Sequence, residues 1–167
     1  PDFVTPWAIR EAGIYSLEKG NTHYTSNWGL AELREEICTY LNRRFNLTYN
    51  PKDEVMVTVG GSEAIDACIR ALVDDGDEVL IPEPSFVCYT PCTILAGGKP
   101  VPLVTTQENN FKLTADVLKA AITPKTKAIY AVDYAGFPCE MDEINAIAKK
   151  HGLFVIEDAA QAVGSTY

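Results

Sequence analysis

Three short stretches of this 167-residue sequence carry side chains that could hold a ligand or move a proton. One is Val155-Ile156-Glu157-Asp158-Ala159-Ala160-Gln161-Ala162, where an apolar run delivers a carboxylate and, three residues on, an amide. An acid at the end of a buried strand is costly unless a cation meets it, so Asp158 asks for a positive partner. The plainer reading is an exposed strand-end acid capping the next turn. Glu157 could be just that, since adjacent strand residues face opposite ways. A second stretch, Gly60-Gly61-Ser62-Glu63-Ala64, joins an expected strand to an expected helix. Glycine permits a tight turn and a close backbone approach, and a helix start offers unpaired N–H groups at the positive end of its dipole. Ser62 adds a hydroxyl and reads as an N-cap. This is either a phosphate cradle or a tight strand–helix turn with a serine cap, and taken alone the turn is the commoner case. The pattern is neither G-x-G-x-x-G nor a P-loop. The third stretch is Pro82-Glu83-Pro84-Ser85-Phe86, a proline-stiffened loop whose Phe86 could lie over a flat aromatic ligand. A phenylalanine on its own is more often core.

Positioning these groups requires a scaffold, and the apolar spacing supplies one. Trp7, Ile9, Ile14 and Leu17 suggest a short opening helix. Leu30, Leu33, Ile37, Tyr40 and Leu41 recur at helical spacing and predict a helix over 30–45. Short apolar runs at 55–59, 78–81, 101–104, 128–132 and 153–157 predict five strands. Between them fall helices, one carrying Ile65, Ile69, Leu72 and Val73, one over 86–95, one from an N-cap at Thr114 to 122, and one over 141–151. Strands alternating with helices predict an α/β fold, a mainly parallel sheet covered on both faces in three α/β/α layers, with ligands beyond the carboxyl ends of the strands. A helical segment over 1–46 precedes this strand–helix region over 47–167.

Composition narrows the partners. Net charge is −9, with 14 Lys and Arg against 23 Asp and Glu, which disfavours nucleic acid and anionic membrane surfaces. No apolar run approaches the roughly 20 residues of a membrane helix, and no signal peptide is evident. Cys38, Cys68, Cys88, Cys92 and Cys139 are odd in number and scattered. Cys88 and Cys92 lie four apart without a second pair or nearby histidine, so no metal is expected, and free thiols in a reducing cytoplasm are the better reading.

These motifs, in this order, resemble the fold-type-I aminotransferases that use pyridoxal 5'-phosphate (PLP). Residues 1 to about 131 are similar to class I/II aminotransferases through Pro1-Asp2-Phe3, Tyr24-Thr25-Ser26-Asn27-Trp28-Gly29-Leu30, Val57-Thr58-Val59-Gly60-Gly61-Ser62-Glu63-Ala64 and Glu83-Pro84-Ser85-Phe86. From about 132 to 167, Asp133-Tyr134-Ala135-Gly136-Phe137-Pro138-Cys139-Glu140-Met141 and the stretch from His151 to Ala162 look instead like the DegT-type sugar aminotransferases. The resemblance implies that Gly61, Ser62 and Glu63 hold the cofactor phosphate and that Phe86 stacks on the pyridine ring. It also implies that Asp158 pairs with the protonated ring nitrogen and Gln161 meets the phenolic oxygen. Tyr24 would reach the phosphate in a neighbouring subunit, which implies a homodimer.

The resemblance also marks an expected gap. The lysine that binds the cofactor covalently and shuttles the α-proton should lie a few tens of residues past Asp158, and no lysine here matches its motif. The expectation is therefore a partial large domain with no catalytic residue of its own, lacking the lysine segment and a C-terminal small domain. Substrates would be an amino donor and a 2-oxo acid, or a keto-sugar nucleotide if the C-terminal half decides. Other readings stay open: a recombined or designed non-catalytic fragment, and more weakly a Rossmann-like nucleotide site in which Glu83 would take a ribose.

Overall fold

The computed structural model describes residues 3–165, so Pro1 and Asp2 of the first family-like motif and Tyr167 at the end lie outside the described residues. Contacts divide the chain after Thr58 into two compact units.

The first unit holds α1 (Trp7–Glu18) and α2 (Ala31–Phe45). α1 buries no residue, whereas α2 is fastened to the loop after it by Arg34, whose guanidinium donates to the carbonyls of Pro51 (2.6 Å) and Lys52 (3.3 Å). Asn46 ends α2 in the left-handed region, with its N–H returning to Asn42. Gly29 is required here: at φ +88 its missing Cβ would come within 2.7 Å of Val57 Cβ. The segment 55–59, expected as the first strand, is not one. Val57 donates to the Trp28 carbonyl, and Val55 and Met56 line an apolar cleft with Ile37 and Leu41 of α2. Alternating apolar residues make a strand only where another strand accepts their hydrogen bonds, and none among the described residues does so for this segment.

The second unit alternates helix and strand: α3 (Gly61–Leu72), β1 (Glu78–Glu83), α4 (Tyr89–Leu95), β2 (Lys99–Val104), α5 (Ala115–Ala121), β3 (Thr126–Val132), α6 (Met141–His151) and β4 (Phe154–Asp158). The four strands are all parallel in the order β2-β1-β3-β4, so four of the five expected strands form and in the expected sense. Thr114 caps α5 as its type and position suggest, its hydroxyl oxygen accepting from the Val117 N–H at 3.4 Å. α4 begins at Tyr89 rather than at 86, leaving Phe86 in the preceding loop.

Strand alternation sorts the core into two layers. Val79 and Ile81 of β1, Ala128 and Tyr130 of β3 pack under α3 and α4 with Ile65, Ile69, Val73 and Tyr89. Leu80 of β1, Leu103 of β2, Ile129 and Ala131 of β3 pack under α5 and α6 with Leu118, Ile144, Ile147 and Ala148. The result is the three-layer α/β/α arrangement expected from the strand–helix alternation.

Candidate functional site

The groups of interest gather at the carboxyl ends of β3 and β4, on the face covered by α3 and α4. Asp158 closes β4 with the same parity as Ile156, which packs on that face. Its carboxylate is half-buried and doubly held. Oδ2 accepts from the Tyr89 hydroxyl at 2.6 Å, and Oδ1 accepts from the Ala160 N–H at 3.0 Å. Burial, followed by the hydrogen bond to Asp158 and its charge, pushes the Tyr89 phenol far above its ordinary pKa, so it remains a donor at any working pH. The Tyr89 ring is fully buried, stacked on Tyr130 at 4.5 Å between centroids, with Phe86 edge-on at 6.0 Å. Phe86 itself is 52% exposed, which removes it from the core and leaves a ring free to receive another flat group.

Gln161 sits past β4 with its Oε1 accepting from the Ala135 N–H at 2.7 Å, in the loop after β3. Only the amide oxygen can accept from an N–H, so this bond orients the side chain and leaves its NH2 to donate elsewhere. Ser165 ties the same two loops, donating from Oγ to the Gly136 carbonyl at 2.9 Å.

Gly60, at φ +83, turns the chain into α3, and Gly61 is its first helical residue. Ser62 is therefore not the N-cap expected for it. It lies one residue inside the helix with its hydroxyl exposed, and no side chain caps the helix start. Glu63 instead turns its carboxylate back onto the Val59 N–H. The first turn thus keeps the donor character of an anion site without a hydroxyl blocking it. One turn further, Ile65 packs in the same cluster as Tyr89, so α3 and the Tyr89–Asp158 pair border one apolar layer. Tyr24 belongs to the first unit, where it is fully exposed.

Two features were missed by sequence reasoning. Tyr89, three residues beyond Phe86, holds the aspartate, and no local pattern distinguished it from a core tyrosine. On the opposite face, Glu157 and Asp133 form a carboxyl pair. Asp133 is buried and accepts from the Cys139 N–H at 2.9 Å, while desolvation and then the hydrogen bond and charge of Asp133 raise the pKa of Glu157. The adjacent Cys139 thiol is pushed up to about 11, first by burial and then by Asp133, and donates to the Val132 carbonyl at 3.2 Å. Glu157 is therefore more than the exposed strand-end acid of the plain reading.

Among the described residues no group of three His, Cys, Asp or Glu could hold a metal ion, and no helix is long and apolar enough to cross a membrane.

A strand-end carboxylate, a half-exposed aromatic ring and a glycine turn into a helix without a side-chain cap thus share one face of a parallel sheet in an α/β protein, at the strand ends where α/β folds offer ligand crevices. The model of the DegT/DnrJ/EryC1/StrS aminotransferase family matches residues 29–167, and the chain belongs to that family. It is 50% identical to the Bacillus subtilis protein YugH over 97% of this chain and 44% of that protein. It is 44% identical to an aspartate aminotransferase of Pyrococcus abyssi, over 95% of this chain and 42% of that one. Among solved structures, an aromatic aminotransferase from Pyrococcus horikoshii superimposes with a TM-score of 0.89 at 41% identity, covering 95% of this chain and 44% of that one. The chain thus spans less than half the length of these relatives. Both the family match and the aspartate aminotransferase match run across residue 131, where the two resemblances meet.

Proposed function

We propose that this chain forms the cofactor-binding part of the large domain of a pyridoxal-phosphate-dependent aminotransferase, which moves an amino group between an amino acid and a 2-oxo acid. The observation that carries the reading is Asp158, a carboxylate at a strand end, anchored through one oxygen by Tyr89 and half-open to a ligand. The surrounding residues fit such a group. A cation-seeking carboxylate, a half-exposed Phe86 ring and an uncapped helix start suit, in turn, a protonated ring nitrogen, an aromatic face and a phosphate.

Bound there, pyridoxal phosphate supplies the electron sink that lets an amino acid give up its α-proton. Asp158 keeps the proton on the ring nitrogen, and Tyr89 fixes the carboxylate that does so. Gln161, oriented through Ala135, offers its amide NH2 to the phenolic oxygen. Gly61, Ser62 and Glu63 give backbone N–H groups, and Ser62 its exposed hydroxyl, to the phosphate. Tyr24 serves the neighbouring subunit's phosphate in a homodimer, in the cytoplasm. The covalently binding lysine and a C-terminal small domain fall, in this reading, in the part of the relatives' length that this chain does not span. Lys149 and Lys150 do not substitute, because α6 lies on the opposite face of the sheet.

The aspartate and aromatic-amino-acid aminotransferases among the relatives favour amino-acid substrates. The family match favours a second reading, a nucleotide-sugar substrate. The test is a titration of the chain with PLP followed by circular dichroism in the cofactor band. We expect a saturable signal that Asp158→Ala weakens and that pyridoxal without phosphate fails to reproduce. A PLP response indifferent to Asp158→Ala, or binding of NAD with none of PLP, would overturn the assignment.

A further inference from the structure

The loops that follow β3 and β4 are stitched together beside Asp158. Moving outward from the sheet, the Asp133 N–H donates to the Asp158 carbonyl at 3.0 Å, the Ala135 N–H to Gln161 Oε1 at 2.7 Å, and Ser165 Oγ to the Gly136 carbonyl at 2.9 Å. The middle stitch cannot hold by itself. Ala135 stands in the left-handed region (φ 55, ψ 24), which an L side chain rarely adopts, and Gly136 follows it there at φ 82. Gln161 is exposed, so fixing its long side chain costs about as much rotamer freedom as one hydrogen bond returns. That bond alone would let Ala135 relax to an ordinary turn and carry its N–H away from the amide. The support lies one residue on. Gly136 packs against the second loop, with the place of its missing Cβ 3.4 Å from both the Gln161 carbonyl oxygen and Ser165 Oγ. Ser165 is itself braced, its N–H donating to the carbonyl of the buried Ala162 at 2.9 Å. Its hydroxyl therefore fixes the turn on the far side of Ala135.

We propose that Ser165 is a positioning residue: its hydroxyl locks the left-handed turn at Ala135 and Gly136, and that turn aims the Gln161 amide. With Oε1 engaged by Ala135, the end of Gln161 left to a ligand is its NH2. A donor there favours an anionic oxygen over a neutral hydroxyl. The part of Ser165 toward the cofactor rests on the function proposed above, in which that oxygen is the phenolic one. Its part toward Gln161 does not.

The test compares the 167-residue chain with Ser165→Ala, Ser165→Thr and Gln161→Ala. Amide hydrogen exchange followed by NMR, without cofactor, reads the clasp directly, because Ala135 is exposed and its N–H is held by Gln161. We expect Ala135 to exchange roughly 10-fold faster in Ser165→Ala and in Gln161→Ala, and to stay slow in Ser165→Thr, which keeps the hydroxyl. The Ile129 and Ala131 amides of β3 should be unmoved in all three. With PLP bound, the pH at which its phenolic proton leaves should rise by about half a unit to one unit in Ser165→Ala and by no less in Gln161→Ala. It should stay in place in Ser165→Thr. An Ala135 amide that exchanges alike with and without the Ser165 hydroxyl would overturn the assignment. So would a β3 that loosens along with it, since the hydroxyl would then serve general stability. A phenolic titration that moves in Gln161→Ala but not in Ser165→Ala would also count against it. Failure of the unaltered chain to bind PLP would remove the phenolic-oxygen role together with the proposed function, while the exchange rates would still decide whether Ser165 holds Gln161.

Discussion

The two faces of the sheet are built from the same strands yet differ in what they bury. Under α5 and α6 the layer is aliphatic, Leu80, Leu103, Leu118, Ile129, Ile144 and Ile147 among its members. Under α3 and α4 it includes two stacked tyrosines, one of which reaches the strand-end aspartate. An aliphatic layer needs only shape and area to be stable. A layer with buried hydroxyls costs free energy unless each finds a partner, and Tyr89 finds Asp158 while Tyr130 does not. The face under α3 and α4 thus carries its buried hydroxyls within the packed layer, whereas the other face keeps its acids, Asp133 and Glu157, at the strand ends.

That division should be visible in where substitutions act. Leu118→Ala, in the aliphatic layer, should cost ~2–5 kcal/mol in urea unfolding and leave the PLP affinity of the folded chain unchanged. A matching loss of affinity would mean the two faces are not separable. Asp158→Asn should do the reverse. The amide can still accept from Tyr89, so stability should fall by about 1 kcal/mol or less. Loss of the charge that we propose meets the ring nitrogen should weaken PLP by roughly 10- to 100-fold. Tyr89→Phe keeps the stack on Tyr130 and removes only the donor to Asp158, so its effect on PLP should be smaller, about 3- to 10-fold. An affinity loss as large as that of Asp158→Asn would place Tyr89 in direct contact with the cofactor.

Much of this was legible beforehand. Helical spacing gave α2 and α6 to within a residue, and Thr114 announced α5, because apolar period and capping are local properties. The segment 55–59 failed for a non-local reason: strand character depends on a neighbour that the sequence of the segment cannot supply. Ser62 failed because the turn took its positive φ at Gly60 and started the helix two residues early. Asp158, Phe86 and Gln161 stand out in the sequence by type and position, and all three lie in or just after the ends of strands or the loops that follow them. Tyr89 does not stand out, since its contact depends on the chain returning Asp158, 69 positions further on, to its hydroxyl.

The smallest effect concerns the carboxyl pair on the aliphatic face. The folded pKa of Glu157 lies above its unfolded value, so between the two the folded chain binds more protons and stability declines as pH rises. Glu78 contributes with the opposite sign. The Thr123 hydroxyl at 2.6 Å and then Lys99 at 3.0 Å lower its pKa, so its contribution is present above the unfolded value and lost as pH falls through the folded one. Glu157→Gln removes only the first term. Its unfolding midpoint in urea should match that of the unaltered chain near pH 4 and pull ahead above about pH 5. The gain should stay below about 1 kcal/mol, because the side chain is exposed and its charge is partly screened by solvent. Asp133→Asn should reduce the same slope by removing the neighbouring acid that helps to raise Glu157. Parallel pH profiles for the unaltered chain and Glu157→Gln would mean that folding does not tighten the proton on Glu157. Glu157 would then be an ordinary exposed acid beside the buried Asp133.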